Sequence, residues 1–432
     1  VKYMIGVVGD DITGSNDIGI MFAKSNYITD IFNYQEWDLK SDAAKEKRDV
    51  LILDTDSRFD QPEIAYEKVF EATMALKKAG AKQFFNKACS VFRGNVGAEF
   101  DAMLDALEEE FAIVVLGFPK NGRTTTEGTH YVYDKKLEES EFRNDPMHPM
   151  TKSNLVEMLQ TQTKRKVGLI DYKVIQEGAD ALKPEIEKLK SQYNYIILDV
   201  TDQADLQTIA KAVHDVKVIC GSSALAEELP AVWTQKRNEV VQIDLPSYAN
   251  DKGLLCAAGS LMTKTADQIQ YMREKGAIVL ELNSLQLFDQ DKRKHLLHTL
   301  TYQIIACIEQ GADVILYSSN DFETVEQTKK AGLKLGYTNK EISMLVSSSI
   351  ADIVQMVIER TGQKRLLVAG GDTSAAVCNK LGVSGMRVLK EIQPGLPSCV
   401  SHSIPAILLV LKSGSFGQPN FFEQAFEHLR QQ

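Results

Sequence analysis

Short apolar runs alternate with amphipathic stretches along almost the whole chain. Residues 4–8 form a β-branched run, and Ile18, Met21 and Phe22 recur at helical spacing behind a Thr13-Gly14-Ser15 turn, which predicts a buried strand feeding a helix. Strand-like runs follow at 27–32, 49–54, 83–86, 112–117, 166–170, 195–200 and 216–220, with helical periodicity at 62–78 and 96–109 between them. Beyond residue 251 the pattern resumes, with strands at 253–258, 277–282, 314–317, 365–369 and 406–411 and helices beginning near 263 and spanning 292–310, 339–361 and 421–429. Strands alternating with helices in this way predict βαβ units, so the fold class is α/β, with a mainly parallel sheet flanked by helices in each half. Residues 118–150 break the pattern. They form a long polar stretch with Gly, Pro and Thr and little periodicity, expected to be a functional loop because structureless segments of that length are uncommon in compact domains.

The segment Leu245-Pro246-Ser247-Tyr248-Ala249-Asn250-Asp251 reads as a linker, which divides the 432 residues into domains 1–245 and 252–432. Hydrophobic residues at 44% and charged residues at 25% are ordinary for a globular chain. A net charge of -10 argues against nucleic acid as a partner, because backbone phosphates demand a basic face. An anionic ligand must therefore be met by a local cluster of Arg and Lys. Six cysteines lie far apart with no C-x-x-C pair, the usage expected of reduced thiols in the cytosol. The N-terminus carries no signal-like segment and no window reaches the roughly 18 apolar residues of a membrane span, so a cytoplasmic protein without a membrane partner is expected.

Candidate chemistry gathers at strand ends, where ligands bind in open α/β sheets. Asp10 and Asp11 close the first strand. Two adjacent side chains there are expected to diverge, one facing a ligand and the other capping the helix or approaching a cation; alternatively Asp11 or Asp17 is only a helix cap and Asp10 is solvated. Arg58 follows Asp54 and Asp56 at another strand end, placed either to reach the same crevice or to pair with Asp56. The loop Lys87, Ala88, Cys89, Ser90 runs on to Arg93, Gly94 and Asn95, with Asn95 a candidate cap for the next helix. Two cations and a helix N-terminus on one loop suit a carboxylate or a phosphate. Arg123, the neighbouring threonines and His130 either face a substrate or satisfy turns.

In the second half, strand-to-helix turns occur at Gly259-Ser260, ahead of Thr265 and Gln268 on one helix face, at Gly370-Gly371-Asp372-Thr373-Ser374, and at Lys412-Ser413-Gly414. Paired glycines admit close backbone approach, and Thr373 or Ser374 is expected to cap the helix, so phosphate is the natural guest. Three such turns favour a nucleotide pocket. No Gly-Lys dipeptide and no G-x-G occurs, which removes the Walker A loop and the Rossmann and protein-kinase glycine fingerprints; H-E-x-x-H and G-x-S-x-G are likewise missing.

The combination of D-D-I-T-G-S-N-D near the start, D-S-R at 56–58, S-x-x-R-G-N-x-G-A-E at 90–99, G-R-T-T at 122–125, D-P at 145–146, G-S-S-A-L-A at 221–226, G-S-x-x-x-x-T-x-x-Q at 259–268, G-G-D-T-S and K-S-G-S-F-G resembles the four-carbon acid sugar kinases, end to end and in the family order. The opening motif is most similar to the D-threonate type. The resemblance implies an N-terminal domain for the acid sugar, a C-terminal domain for ATP, and phosphoryl transfer to the terminal hydroxyl of a four-carbon acid such as D-threonate, with D-erythronate or a 3-oxo-tetronate as the alternative. It implies that Asp11, Arg58 and Lys87 to Ser90 hold the acid, and that Ser260, Gly370, Gly371, Asp372, Thr373 and Gly414 hold ATP. Arg93 and Asn95 join the acid site on the charge argument alone. Asp11, with Asp10 beside it, is the expected base. Mg²⁺ is expected with the nucleotide rather than in a protein cage, and a homo-oligomer is left open. The family loop K-x-D-S-T-x-R-G-N has here Cys89 for Asp and Val91 for Thr, a difference that bears on the acid. Other classes remain: a non-catalytic regulator that binds a sugar acid and nucleotide, or a nicotinamide enzyme, which the missing G-x-G weakens.

Overall fold

Continuous apolar runs such as VLILD at 50–54, buried at every position, are what a parallel sheet covered on both faces requires. In the computed structural model, which describes residues 3–41, 46–234, 239 and 242–432, these runs become strands of two compact units, Val1–Val241 and Gln242–Gln432. The strands of the first unit are β1 (Met4–Gly9), β2 (Thr29–Asn33), β3 (Val50–Asp54), β4 (Ala81–Lys87), β5 (Ala112–Val115), β6 (Arg123–Thr126), β7 (Thr129–Val132), β8 (Lys135–Lys136), β9 (Val167–Ile170), β10 (Tyr195–Leu198) and β11 (Val218–Gly221). Its main sheet runs β2-β3-β1-β4-β11-β5-β10-β9, with parallel pairing at each described ladder. β1 lies between β3 and β4: the chain leaves β1 for β2, beyond β3, and later crosses from β3 to β4 on the other side. That makes the carboxyl end of β1 the switch point at which a crevice opens.

The second unit contains β12 (Leu255–Ala258), β13 (Ile278–Leu282), β14 (Val314–Ser318), β15 (Arg365–Ala369), β16 (Gly385–Gln393), β17 (Leu396–Ser401) and β18 (Leu408–Lys412), in the order β13-β14-β12-β15-β18-β17-β16. β12 occupies the switch position here, between β14 and β15. The α/β class stands, with helices such as Pro62–Lys78 and Asn339–Thr361 at the predicted bounds.

The structure differs from the sequence reading in three places. Residues 118–150 are not structureless: β6, β7 and β8 form a separate three-stranded antiparallel sheet, followed by 3₁₀ turns and anchored by buried Phe118, Leu137, Phe142 and Met150. β6 and β7 are short and threonine-rich, alternating between buried and half-buried positions, and β8 is two exposed lysines, so no apolar run marks them. The antiparallel pair β16–β17 also escaped, because its partly exposed register shifts blur the period of two. Thirdly, the helix Asn339–Thr361 is long and apolar enough by composition to cross a membrane, contrary to the expectation that no window reaches that threshold. Here Ile342, Ile350, Ile353, Val354 and Val357 are buried, while Met344 and Met356 are exposed.

Candidate functional site

In the first unit, Asp10 lies between two neighbouring strand ends. Its backbone N–H donates to Lys87 O at 3.3 Å, and its carbonyl accepts from Ser57 N at 3.0 Å and Arg58 N at 3.3 Å. The loop after β3 is thereby laid alongside, and Arg58 turns back over the carboxylates: Nε to Asp10 Oδ2 and Nη2 to Asp10 Oδ1, both 2.9 Å, and Nη2 to Asp11 Oδ1 at 3.0 Å. The two acids therefore do not diverge as expected, because one guanidinium spans both. Nor does Arg58 pair with Asp56. Asp11 is at the same time the N-cap of the helix Ile12–Ala23, accepting from Gly14 N at 2.7 Å and from Thr13 Oγ1 at 2.9 Å. The cap and the ligand-facing role, posed as alternatives, fall on one residue.

Burial pushes the Asp11 carboxyl up, but Arg58, Lys87, the Gly14 N–H and the Thr13 hydroxyl outweigh it and hold the group below the usual carboxylate range. Asp11 is thus ionised at neutral pH. Lys87, 3% exposed, donates to Ala88 O at 2.8 Å and lies 3.6 Å from Asp17 Oδ2. Ser223 Oγ donates to Asp17 Oδ1 at 2.7 Å. Burial raises Asp17 to about 6 against the opposing pull of Lys87. Asp54 and Glu99 are also raised well above the carboxylate range, chiefly by burial, with Asp56 adding to the first and Asp10 to the second. Ser57 donates to Glu99.

Gly14 is the floor of this cluster. A Cβ built on it would stand 2.6 Å from Asp11 Oδ1, 3.2 Å from Lys87 Nζ and 3.7 Å from Arg58 Nη2. A carboxylate that accepts and two cations that donate thus face one small space.

Other predicted residues take supporting places. Asn95 stands at the N-cap position of the helix Val96–Leu107 but does not cap it; its amide donates instead to Asp60 O at 2.7 Å and more weakly to Arg58 O and Ser57 O, fixing the Arg58 loop. Arg93 pairs with Asp145 at 2.8 Å, and its Nε donates to Cys89 Sγ at 3.3 Å. Burial raises the Cys89 thiol, but Arg93 and Arg58 outweigh it and bring it below its ordinary value. Ser90 and Ala88 are buried in the same loop. Sequence reasoning gave no ligand-site role to Asp17, Ser223, Asp54 or Glu99. The pairing of β11 with β4, which sets Gly221 opposite Lys87, explains why G-S-S-A-L-A ends at this site, and that is a tertiary fact with no local signal.

In the second unit the three glycine turns leave adjacent strands at one level, since Ala258 pairs with Ala369 and Ala369 with Lys412. A Cβ on Gly370, which has φ +114°, would stand 3.0 Å from Ser260 N; one on Gly414 would stand 2.2 Å from Ser260 Oγ; one on Gly259 would stand 1.9 Å from Thr373 Oγ1. Gly370 is the N-cap of the helix Gly371–Lys380, with no side-chain cap, so neither Thr373 nor Ser374 caps it as expected. Instead the buried Ser374 hydroxyl has no hydrogen-bond partner among the described residues. A close-fitting backbone cradle, a helix N-terminus and an unsatisfied hydroxyl fit a phosphate group. Asp372 is turned to Ser343, whose hydroxyl donates to it at 3.0 Å. Behind the cradle, fully buried Lys412 donates to Thr265 Oγ1, Ser413 O and Gly414 O at 3.1, 2.7 and 3.0 Å, and Gln268 donates to Phe416 O and Gln418 O.

A family model described as a sugar-binding N-terminal domain matches residues 5–229, and one described as a nucleotide-binding C-terminal domain matches residues 255–422. The 3-oxo-tetronate kinase of Pseudomonas savastanoi is 31% identical, over 99% of this chain and 97% of its own, and that of Haemophilus influenzae is 30% identical, over 98% and 99%. Among solved structures, a Haemophilus influenzae protein 29% identical to this chain superposes with a TM-score of 0.69, covering 98% of this chain and 100% of its own. A Salmonella typhimurium protein at 24% identity shares the fold, with a TM-score of 0.78 over 98% of both chains.

Proposed function

Because the chain belongs to the four-carbon acid sugar kinase family, we propose that it transfers the γ-phosphoryl group of ATP to the terminal hydroxyl of a four-carbon sugar acid, with a 3-oxo-tetronate ahead of D-threonate and D-erythronate. The observation that carries the reading is the space over Gly14. There Arg58 and Lys87 supply cations for a carboxylate and Asp11, beside them, an acceptor for a hydroxyl, the two groups that a hydroxy acid carries. The preference for the 3-oxo acid is supported by the relatives that bear that name.

In this reading the first unit holds the acid and the second holds ATP. Arg58 Nη1 has no partner among the described residues, and Lys87 Nζ, turned to Ala88 O and Asp17, keeps a third N–H, so both retain donors for the substrate carboxylate. Asp11 orients the hydroxyl and accepts its proton, and Asp10 keeps Arg58 in place. The Ser260, Gly370–Thr373 and Gly414 backbone cradles the phosphates. Mg²⁺ brought in with the nucleotide would supply charge neutralisation at the β- and γ-phosphates. ATP consumption tested against 3-oxo-tetronate, D-threonate and D-erythronate decides the matter: turnover with one of them is expected, and saturable binding without product would make the protein a regulator.

Two further results are expected. Arg58→Lys keeps the charge but loses the fork, so KM for the acid should rise about 10–100-fold, the equivalent of about 1.5–3 kcal/mol for a charged hydrogen bond, with KM for ATP unchanged. An equal rise in both would make Arg58 structural. The second concerns pH. Burial, aided by Lys264, brings Lys412 down to about 7, so its ammonium loses a proton as pH rises through neutrality. The neutral amine has two donors for three acceptors, and the Ser413-Gly414 turn loosens. KM for ATP should therefore climb by up to about 5-fold from pH 7 to 9, the worth of one neutral hydrogen bond. Lys412→Met should start high and stay flat. A wild-type profile as flat as the variant's would remove Lys412 from nucleotide binding.

A further inference from the structure

The three-stranded sheet that interrupts the first unit touches the substrate loop at one residue from two sides. His130, fully buried on β7, has Nε2 2.8 Å from Ser90 O; Arg123, fully buried on β6, donates from Nε to Ser90 Oγ at 3.2 Å. Because Ser90 O can only accept, the proton of the neutral ring sits on Nε2. Nδ1 must then accept from Thr125 Oγ1, 2.9 Å away on β6. The hairpin register places Thr125 opposite His130, and Thr125 is itself bridged through its backbone to Val200 beyond the end of β10. Arg123 is braced in turn by Asn121 O at 2.6 Å and lies over the rings of Tyr133 and Phe142. The chain of contacts therefore runs from the sheet through the hairpin to Ser90.

We propose that His130 and Arg123 are positioning residues for the acid substrate, setting the Lys87–Ser90 loop by gripping Ser90 at its carbonyl and its hydroxyl. The inference rests on the reading that this loop holds the acid. With one Ser90 lone pair occupied by a guanidinium, its hydroxyl is left to donate. It therefore meets an acceptor of the substrate, an oxygen of the carboxylate or of a 3-oxo group, rather than the hydroxyl that is phosphorylated. The ring's environment agrees with the grip: burial, opposed by the Ser90 hydrogen bond and aided by Arg123, lowers His130 to about 4, so it stays neutral at working pH.

Three variants and a set of spectra test this. His130→Gln keeps a donor near the Nε2 position and is expected to leave KM for the acid within about 3-fold of wild type. His130→Leu should raise it at least about 10-fold with KM for ATP unchanged. Thr125→Val, nearly isosteric, frees the ring without emptying the site and should give an intermediate rise even if the leucine variant fails to fold. Equal changes in both KM values, or a valine variant indistinguishable from wild type, overturn the proposal. Independently of turnover, ¹⁵N-histidine spectra of the full chain should show a ring protonated on Nε2 and neutral down to about pH 5. A ring protonated on Nδ1, or titrating near its ordinary value, overturns the grip whatever the substrate. Absence of turnover with every acid, with the ring as described, overturns the functional reading alone.

Discussion

Asp11→Asn should lower kcat by at least about two orders of magnitude while ATP still binds, because a positioned carboxylate contributes roughly 10²–10⁴-fold as a general base. The substitution is unusually clean at this position. Asn caps a helix as well as Asp does, so the bond from Gly14 N and the start of the helix Ile12–Ala23 survive, while the charge opposite Arg58 and the acceptor for the Thr13 hydroxyl are lost. A fall in kcat with little change in stability would then report chemistry rather than folding. Asp10→Asn is the informative partner. It breaks the two-pronged contact to Arg58, so its cost should appear first as a raised KM for the acid. If Asp11→Asn kept near-normal kcat and Asp10→Asn lost it, the two roles would be exchanged; if both kept it, neither is the base.

Gly370→Ala should weaken ATP binding by at least about 100-fold and leave acid binding intact. Two costs combine. The backbone at Gly370 has φ +114°, a conformation that costs a residue with a Cβ about 1–3 kcal/mol. The added carbon also meets Ser260 N, a backbone atom, at 3.0 Å, in the cradle that must admit a phosphate. Relief by movement of β15 would displace Gly370 N from Lys412 O, 2.9 Å away, and disturb the third turn as well. Calorimetry of ATP and of the acid on the same variant checks the split. Unchanged ATP affinity would put the nucleotide elsewhere, and loss of both ligands would mean the variant had unfolded.

The α/β frame was legible because a parallel sheet writes itself into the chain as apolar runs, and Val50–Asp54 or Arg365–Ala369 has no other reading of comparable economy. The glycine turns of the second unit were legible for the same reason: each marks the end of such a run. Asp10, Asp11 and Arg58 could be nominated, but not their geometry. Nothing in the order of residues reveals that a guanidinium 47 positions from Asp11 spans two adjacent acids instead of following one. Side-chain direction also defeated the cap assignments. Asn95 and Thr373 sit at or beside helix starts, yet Asn95 is recruited by carbonyls of the Arg58 loop and the helix Gly371–Lys380 starts on Gly370 with no side-chain cap among the described residues. The β6–β8 sheet was missed because four-residue strands of Arg, Thr, His and Tyr carry no period strong enough to see.

That small sheet separates two kinds of change. Lys87 is the last residue of β4, and Asp10 immediately follows β1, so altering their placement means altering the central frame. The hairpin hangs between β5 and β9 and reaches the Lys87–Ser90 loop at Ser90. On the proposed reading, substitutions within it retune selectivity among acids of similar length while the phosphoryl-transfer machinery stays as it is. An architecture of this kind is evolvable: one scaffold can be handed new sugar acids by drift in an appendage, and the same appendage is where a designer seeking a different acceptor should begin.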